Sequence, residues 1–403
     1  MEIKAYDTWA CKMYRHDFYG FLLSEMIVED GIHTIKLNDS VEIDLMVRGM
    51  KNTGLYKNNF VCFFNGAISN RNSKTSPFFS GLGVLGDSLI PVISFSDPTI
   101  DLSSEISIGW YAGSRYFEKL QEIIAIIIKR YMSFTGGRPI LIGGSGGGFA
   151  VLSTSYLLNE DTFSIVWNPQ TNILKYEKEA VSKYARLAFD SSVDEFEDFL
   201  VERKINYNLA NNIQERKGKI LLIQNRTDWH LQEHAIPFLL KNNVELTNNN
   251  PGRWCGNIYY YLSNFGFGHV GPNKALIKDI VFSIIEKGVP DSFCFGQLEN
   301  ENSLAVLDSN FFDFDVRVLD EKLEAVINFK NTDYNSVNAR YCFYVYVDGE
   351  RVLNTGYQID NILIVELERL LVKKGSKIEV ILFIMESGFR VNQKVVIQYR
   401  GEC

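Results

Sequence analysis

The chain has 403 residues, enough for two or three domains, and its 46% hydrophobic and 22% charged residues are ordinary globular proportions. A net charge of −8 excludes nonspecific nucleic-acid binding as the main role and leaves neutral sugars, small acyl donors and protein partners open. The six cysteines (Cys11, Cys62, Cys255, Cys294, Cys342 and Cys403) form no C-x-x-C pair, so neither a zinc site nor a disulfide framework is expected, and a reducing compartment is.

Met1 to Asp7 carries no apolar signal-peptide core, and the most apolar run, Ile123 to Ile128, is too short to span a bilayer. The expectation is a cytoplasmic protein with no transmembrane segment, able to reach the inner face of a membrane only through partners. Residues 1–34 read as a β-rich segment. Val41, Ile43, Leu45 and Val47 alternate along a strand with one apolar face. From Phe60 the rhythm becomes α/β. Phe60–Phe64 and Leu89–Phe95 are strands, Ser114–Tyr131 a helix with Tyr116 and Ile123 on its buried side, and Pro139–Ile142 a strand. Strands follow at Phe163–Trp167, Ile220–Ile223 and Ile258–Leu262, with helices near Glu233–Lys241 and Pro272–Lys287. This alternation predicts a mostly parallel sheet with helices on both faces over residues 35–295. Residues 171–215 are charged and helical in pattern, and sit where such a fold carries a cap. Asn300–Ser303 reads as a linker. Beyond it, strand patterns alone suggest an immunoglobulin-like β-sandwich over 305–403, with a hairpin turn at Asp348-Gly349.

The segment from Pro139 to Ala150 carries the chemistry. An apolar strand runs into Gly143-x-Ser145-x-Gly147, followed by a helix-compatible stretch. On a strand–turn–helix this is a nucleophile elbow, which needs small neighbours around the serine. A nucleotide loop would need a Walker lysine or G-x-G-x-x-G. Here Gly144-x-Gly146 is followed by Phe149. The amide of Gly146, at the helix N-terminus, is one candidate oxyanion donor. The loop after Phe64 supplies the second, from Gly66 or Ala67.

A serine nucleophile needs a base, and the base an orienting acid. Asp228 and His269 each follow a strand, so the chain order is Ser145, Asp228, His269, the order of α/β-hydrolases. All three fall at the carboxyl ends of parallel strands, where open α/β sheets place their sites. His230 and His234 share a helix face, but no third ligand presents itself, so they are read as structural or pocket-lining and no metal is expected. Trp110 and Tyr111, between glycines, and Asn168 and Gln170, after the next strand, suit a carbohydrate or an acyl-carrier group. Packing of the aromatics and capping by Asn168 is the alternative.

At these residues the chain resembles an α/β-hydrolase over roughly residues 35–290. The segments Phe64-Asn65-Gly66-Ala67, Ser96-Asp97-Pro98-Thr99, Gly109-Trp110-Tyr111-Ala112-Gly113 and Asn168-Pro169-Gln170-Thr171 further resemble the α/β-hydrolase-like proteins of bacterial accessory secretion systems and of capsule or glycan loci. That family includes carbohydrate O-acetyltransferases. The resemblance implies an acetyl group on Ser145, taken from acetyl-CoA and passed to a glycan hydroxyl, with no bound cofactor. A carboxylesterase or polysaccharide deacetylase would use the same residues. A non-catalytic component of a glycan-assembly complex is the reading from another class.

Overall fold

The computed structural model describes residues 4–23, 28–86, 88–211, 217–244, 253–263, 265–266, 268–293, 312–329, 340–386 and 389–400. The linker expected at 300–303 lies outside them. The chain divides into two compact units: residues 1–263 with 271–294, and residues 264–270 with 295–403.

Among the described residues the first unit is built on ten strands: β1 (Met13–Asp17), β2 (Gly31–Lys36), β3 (Glu42–Arg48), β4 (Phe60–Phe64), β5 (Val92–Ser96), β6 (Pro139–Gly144), β7 (Phe163–Trp167), β8 (Lys219–Asn225), β9 (Arg253–Cys255) and β10 (Ile258–Ser263). They form one sheet in the order β1-β2-β3-β5-β4-β6-β7-β8-β10-β9. From β5 through β4, β6, β7 and β8 to β10 every neighbouring pair is parallel. β3 joins β2 and β5 antiparallel, and β9 closes the far edge antiparallel to β10. Among the described residues seven helices accompany them: α1 (Phe18–Leu23), α2 (Leu120–Thr135), α3 (Gly146–Leu158), α4 (Lys178–Tyr184), α5 (Phe196–Glu202), α6 (Ile236–Lys241) and α7 (Lys274–Lys287).

Every residue of β4, β5 and β6 is buried, as continuous apolar runs covered on both faces must be. α3 is buried along nearly its whole length, its polar Ser153, Thr154 and Ser155 included. The N-terminal boundary expected at 34 falls inside β2, which is the neighbour of β3 in this same sheet. β3 itself departs from a one-faced strand. Asp44 and Met46, on the face expected to be polar, are as buried as Ile43 and Leu45, because both faces of the sheet are covered there. Asp44 is tolerated because Lys4 and Thr34 bond to its carboxylate at 2.6 Å each.

The helix expected from Ser114 begins at Leu120. Ser114 pairs with Phe117 in an antiparallel bridge, so the chain makes a turn first and Tyr116 is 44% exposed instead of packed. Residues 171–211 contain α4, α5 and single turns, with no strand among them.

Among the described residues the second unit holds seven C-terminal strands: β11 (Phe312–Leu319), β12 (Lys322–Phe329), β13 (Arg340–Val347), β14 (Glu350–Asn354), β15 (Ile362–Glu366), β16 (Lys377–Glu386) and β17 (Phe389–Gln398). They form two antiparallel sheets, β11-β12-β15 and β14-β13-β16-β17, whose inward residues share one apolar core. β14 and β15 were not among the strands read from the sequence.

Candidate active site

Ser145 sits between β6 and α3 at φ 54° and ψ −124°, a conformation that L-residues adopt only under strain. The turn is tight enough to forbid side chains on either side. A Cβ on Gly143 would stand 2.4 Å from the Gly147 carbonyl oxygen, and one on Gly147 2.4 Å from that of Phe64. The Ser145 amide donates to Trp167 O at 3.0 Å, and its carbonyl accepts from the Gln170 amide at 3.1 Å, so β7 and its following loop hold the turn in place. This is the strand–turn–helix that the G-x-S-x-G spacing calls for.

The loop after β4 lies directly against this turn. A Cβ on Gly66 would be 3.4 Å from Ser145 Cβ and 3.7 Å from the Gly146 amide nitrogen. The loop is held by Tyr111. The Tyr111 hydroxyl accepts from Asn65 N at 3.1 Å and lies within bonding reach of Asn65 Oδ1 and of Phe95 O, at 2.8 Å from the latter. Burial, with the Asp97 carboxylate nearby, pushes this phenol well above its ordinary pKa, so it remains a neutral donor.

Trp110 and Tyr111 both have φ 54°. Their shared left-handed turn is pinned by Asp97, which accepts from Tyr111 N at 2.8 Å and Thr99 N at 2.9 Å. From that turn two arms diverge. Tyr111 reaches the Gly66 loop. Trp110 donates through Nε1 to Gln170 Oε1, and Gln170 Nε2 donates to Ser145 Oγ at 3.1 Å.

All four residues expected to line a substrate pocket are therefore packed inward. Trp110, Tyr111, Asn168 and Gln170 are 0–2% exposed. The sequence could not separate packing from binding, because an aromatic between glycines suits both. Asn168 does not cap a helix either. Its Oδ1 accepts from Asn225 N at 2.7 Å and ties the ends of β7 and β8 together. Gln170 bonds to the serine hydroxyl through its side-chain amide.

Asp228 follows β8 and is buried. Its Oδ1 accepts from both the amide (3.0 Å) and Nδ1 (2.8 Å) of His230. His230 and His234 are buried and stack at 5.0 Å, and the Thr171 amide donates to His234 Nδ1 at 3.3 Å. Both rings also pack against Trp229, at 4.1 and 5.5 Å between centroids. His269 lies in residues 264–270, between β10 and α7, and is exposed. That stretch groups with the second unit. Tyr176 and Trp229 were not singled out by the sequence. They stack at 6.0 Å beside His230, and Trp229 is 38% exposed.

Asp97 offers a pH test. Burial raises its pKa to about 6, against the lowering effect of the two amides it accepts from. A carboxyl with a raised folded-state pKa stabilises the fold below the unfolded value and loses that contribution as pH rises through the folded one. Wild type should gain roughly 2–3 kcal/mol of stability relative to Asp97→Asn as pH falls from about 7 to about 4. Denaturant unfolding of both proteins across that range checks it, and a constant difference would contradict it.

No family model matches the chain, and no curated protein does. Solved structures are similar at low identity. A capsule O-acetyltransferase of Neisseria meningitidis serogroup A, a mutant in complex with CoA, shares 16% identity over 64% of this chain and 95% of that one, with a TM-score of 0.44. A glycosylation-associated protein complex from Streptococcus agalactiae shares 14% over 62% of this chain and 45% of that one, with a TM-score of 0.43. An acetyl xylan esterase from Paenibacillus shares 11% over 64% and 89%, with a TM-score of 0.39. Among the described residues no helix is long and apolar enough to cross a membrane.

Proposed function

We propose that the chain is a serine acyl-transfer enzyme of the α/β-hydrolase type that moves an acetyl group from acetyl-CoA to a carbohydrate hydroxyl. One observation carries the serine reading. Ser145 occupies a strained turn at the carboxyl end of β6, with the first amides of α3 behind it and the Gly66 loop against its Cβ. Packing alone gives no reason to hold a serine there at a cost of about 1–3 kcal/mol.

In this reading Ser145 Oγ attacks the acetyl carbonyl. His269 takes its proton as general base, and Asp228 fixes the imidazole tautomer. The oxyanion is held by the Gly146 amide and by that of Gly66 or Ala67. Acetyl leaves CoA as its thiolate accepts the proton from the imidazolium. A sugar hydroxyl then attacks the acetyl-enzyme, returning Ser145 to its resting form. The segment 171–215 acts as a cap, and the C-terminal strands form an immunoglobulin-like accessory domain with room for a glycan-assembly partner. Water in place of the sugar would make the same site an esterase or deacetylase, and the two differ only in what the acceptor side admits.

Incubating the protein with acetyl-CoA and candidate capsular or surface oligosaccharides, followed by mass spectrometry, tests the direction. A gain of one acetyl per sugar supports transfer. Loss of existing acetyl supports deacetylation, and no change in either favours a non-catalytic role.

Tyr111 gives a second prediction. Tyr111→Phe removes the hydroxyl that orders the Asn65–Gly66 turn while keeping the ring. Because one oxyanion donor is worth about 10²–10³ in kcat, loosening its loop should lower kcat by roughly tenfold to a hundredfold with KM little changed. Steady-state kinetics on an acetyl ester reads this split. An unchanged kcat would detach the Gly66 loop from the chemistry.

A further inference from the structure

Gln170 is fully buried against the serine turn. Its main-chain amide donates to Ser145 O at 3.1 Å, which tethers the residue to the turn by its backbone. Its side-chain Oε1 accepts from Trp110 Nε1, and its Nε2 lies 3.1 Å from Ser145 Oγ. The Tyr176 hydroxyl is within bonding reach of the same side chain.

Donor and acceptor chemistry leaves this amide one orientation. An indole N–H can only donate, so Oε1 must face Trp110 and the NH2 group must face the serine. That NH2 group can only donate in turn, so Ser145 Oγ accepts from it. The serine proton therefore points away from Gln170 and is left for the general base. Tyr176 keeps its proton throughout. Burial, with the Glu177 and Asp228 carboxylates nearby, pushes its phenol up to about 12.

We infer that Gln170 is a catalytic residue whose side-chain amide acts on Ser145 Oγ in both halves of the reaction, and that Trp110 is the positioning residue that fixes this amide. The inference rests on the serine acyl-transfer reading above. In the first half, Oγ forms a bond to the acetyl carbonyl carbon and its proton passes to the general base. The bond from that carbon to the CoA sulfur then breaks, and the thiolate takes the proton. In the second half, the acceptor oxygen bonds to the same carbon and gives its proton to the base. The bond from carbon to Oγ breaks, and its electron pair stays on Oγ until that proton arrives. Negative charge thus gathers on Oγ as it gives up its proton and again as it leaves. An N–H donated to a charged oxygen is worth about twice one donated to a neutral oxygen. The amide therefore favours these transition states over the resting hydroxyl and over the ester. The Gly146 and Gly66 or Ala67 amides act on the other oxygen, that of the acetyl carbonyl.

The test uses the full chain. Acetyl-Ser145 is formed with acetyl-CoA or p-nitrophenyl acetate, and its appearance and decay are followed by intact mass. Gln170→Met keeps the length of the side chain and removes the N–H. It should slow both appearance and decay by about tenfold, with the donor concentration giving half the maximal rate unchanged. Gln170→Glu keeps the shape and an acceptor for Trp110, so it would rescue a purely structural role. Once its carboxyl has lost its proton it has no N–H or O–H to donate. Its rates relative to wild type should therefore reach the Gln170→Met level or below by about pH 9. Of the groups that would face this carboxyl, Ser145, Trp110 and Tyr176, none ionises in that range. Trp110→Phe lets the amide turn its oxygen to the serine. It should slow both steps by up to about tenfold on its own and add little to Gln170→Met. If neither donor gives acetyl-Ser145 in the wild type, the serine reading falls and this inference with it. If acetyl-Ser145 forms, wild-type rates in Gln170→Met, or in Gln170→Glu at about pH 9, overturn the role of Gln170 alone. A raised half-saturating concentration at unchanged maximal rate does the same, since it would make Gln170 a substrate contact. Should Gln170→Met fail to fold, Gln170→Glu decides. Additive losses from Trp110→Phe and Gln170→Met would overturn the positioning role of Trp110.

Discussion

Ser145→Ala is expected to abolish the acetyl-enzyme and to lower turnover of a small acetyl ester by roughly 10⁴-fold or more. The substitution removes one oxygen. The turn itself is held by backbone bonds to Trp167 and Gln170, which alanine keeps. Among the described residues the side-chain interaction lost is the bond from Gln170 Nε2, worth about 1 kcal/mol. The variant should therefore unfold at nearly the wild-type temperature while losing the chemistry, which separates a nucleophile from a structural serine. His269→Ala should lose a comparable amount, and the double variant little more, because residues acting as one unit are not additive. Asp228→Asn is the less clean probe, since Asp228 also holds His230. Wild-type turnover by a pure Ser145→Ala sample would end the mechanism.

Lys4→Met is expected to destabilise the protein by about 3–5 kcal/mol, read as a drop in denaturation midpoint. Lys4 lies 2.6 Å from Asp44 and 3.0 Å from Asp101, carboxylates exposed by only 1% and 3%. Burial works against the ammonium, yet Asp101 and Asp44 outweigh it and hold the Lys4 pKa above its ordinary value. Burial already raises the Asp101 carboxyl even with Lys4 present. Without the lysine two carboxylates stay buried with no counter-charge. The pair of changes Asp44→Asn and Asp101→Asn on top of Lys4→Met should recover much of the loss. The pH dependence has a definite sign. The Asp101 carboxyl, already raised by burial, binds its proton still more tightly in the folded state without Lys4, so the deficit of Lys4→Met should shrink as pH falls toward about 4 and stay level from neutrality to about pH 10. A deficit that grows in acid would contradict this account.

Much of the site was legible because its local geometry is written into residue size. Only glycine fits at 143 and 147, where backbone oxygens come within 2.4 Å of a would-be Cβ, so the elbow could be read from spacing. The parallel strands were legible for a similar reason: runs such as Phe60–Phe64 have no polar face and need cover on both sides. The turn at Ser114–Phe117 was not legible, since Tyr116 continues the helical spacing and only the bridge to Ser114 breaks it.

What the sequence by itself determined is the serine turn, its place after a buried strand, and the alternation that makes a parallel sheet. These follow from steric limits and periodicity, which act between near neighbours. What only the tertiary structure decided is the use of the residues around that turn. Asp97, Tyr111 and Asn65 come from three separate segments, and so do Trp110, Gln170 and Ser145, yet they form two hydrogen-bonded arms from one left-handed turn. Trp110 and Tyr111, which the sequence left between packing and binding, are placed as supports of these arms. Hydrogen bonds between distant segments depend on where the strands end in space, and no spacing along the chain encodes that.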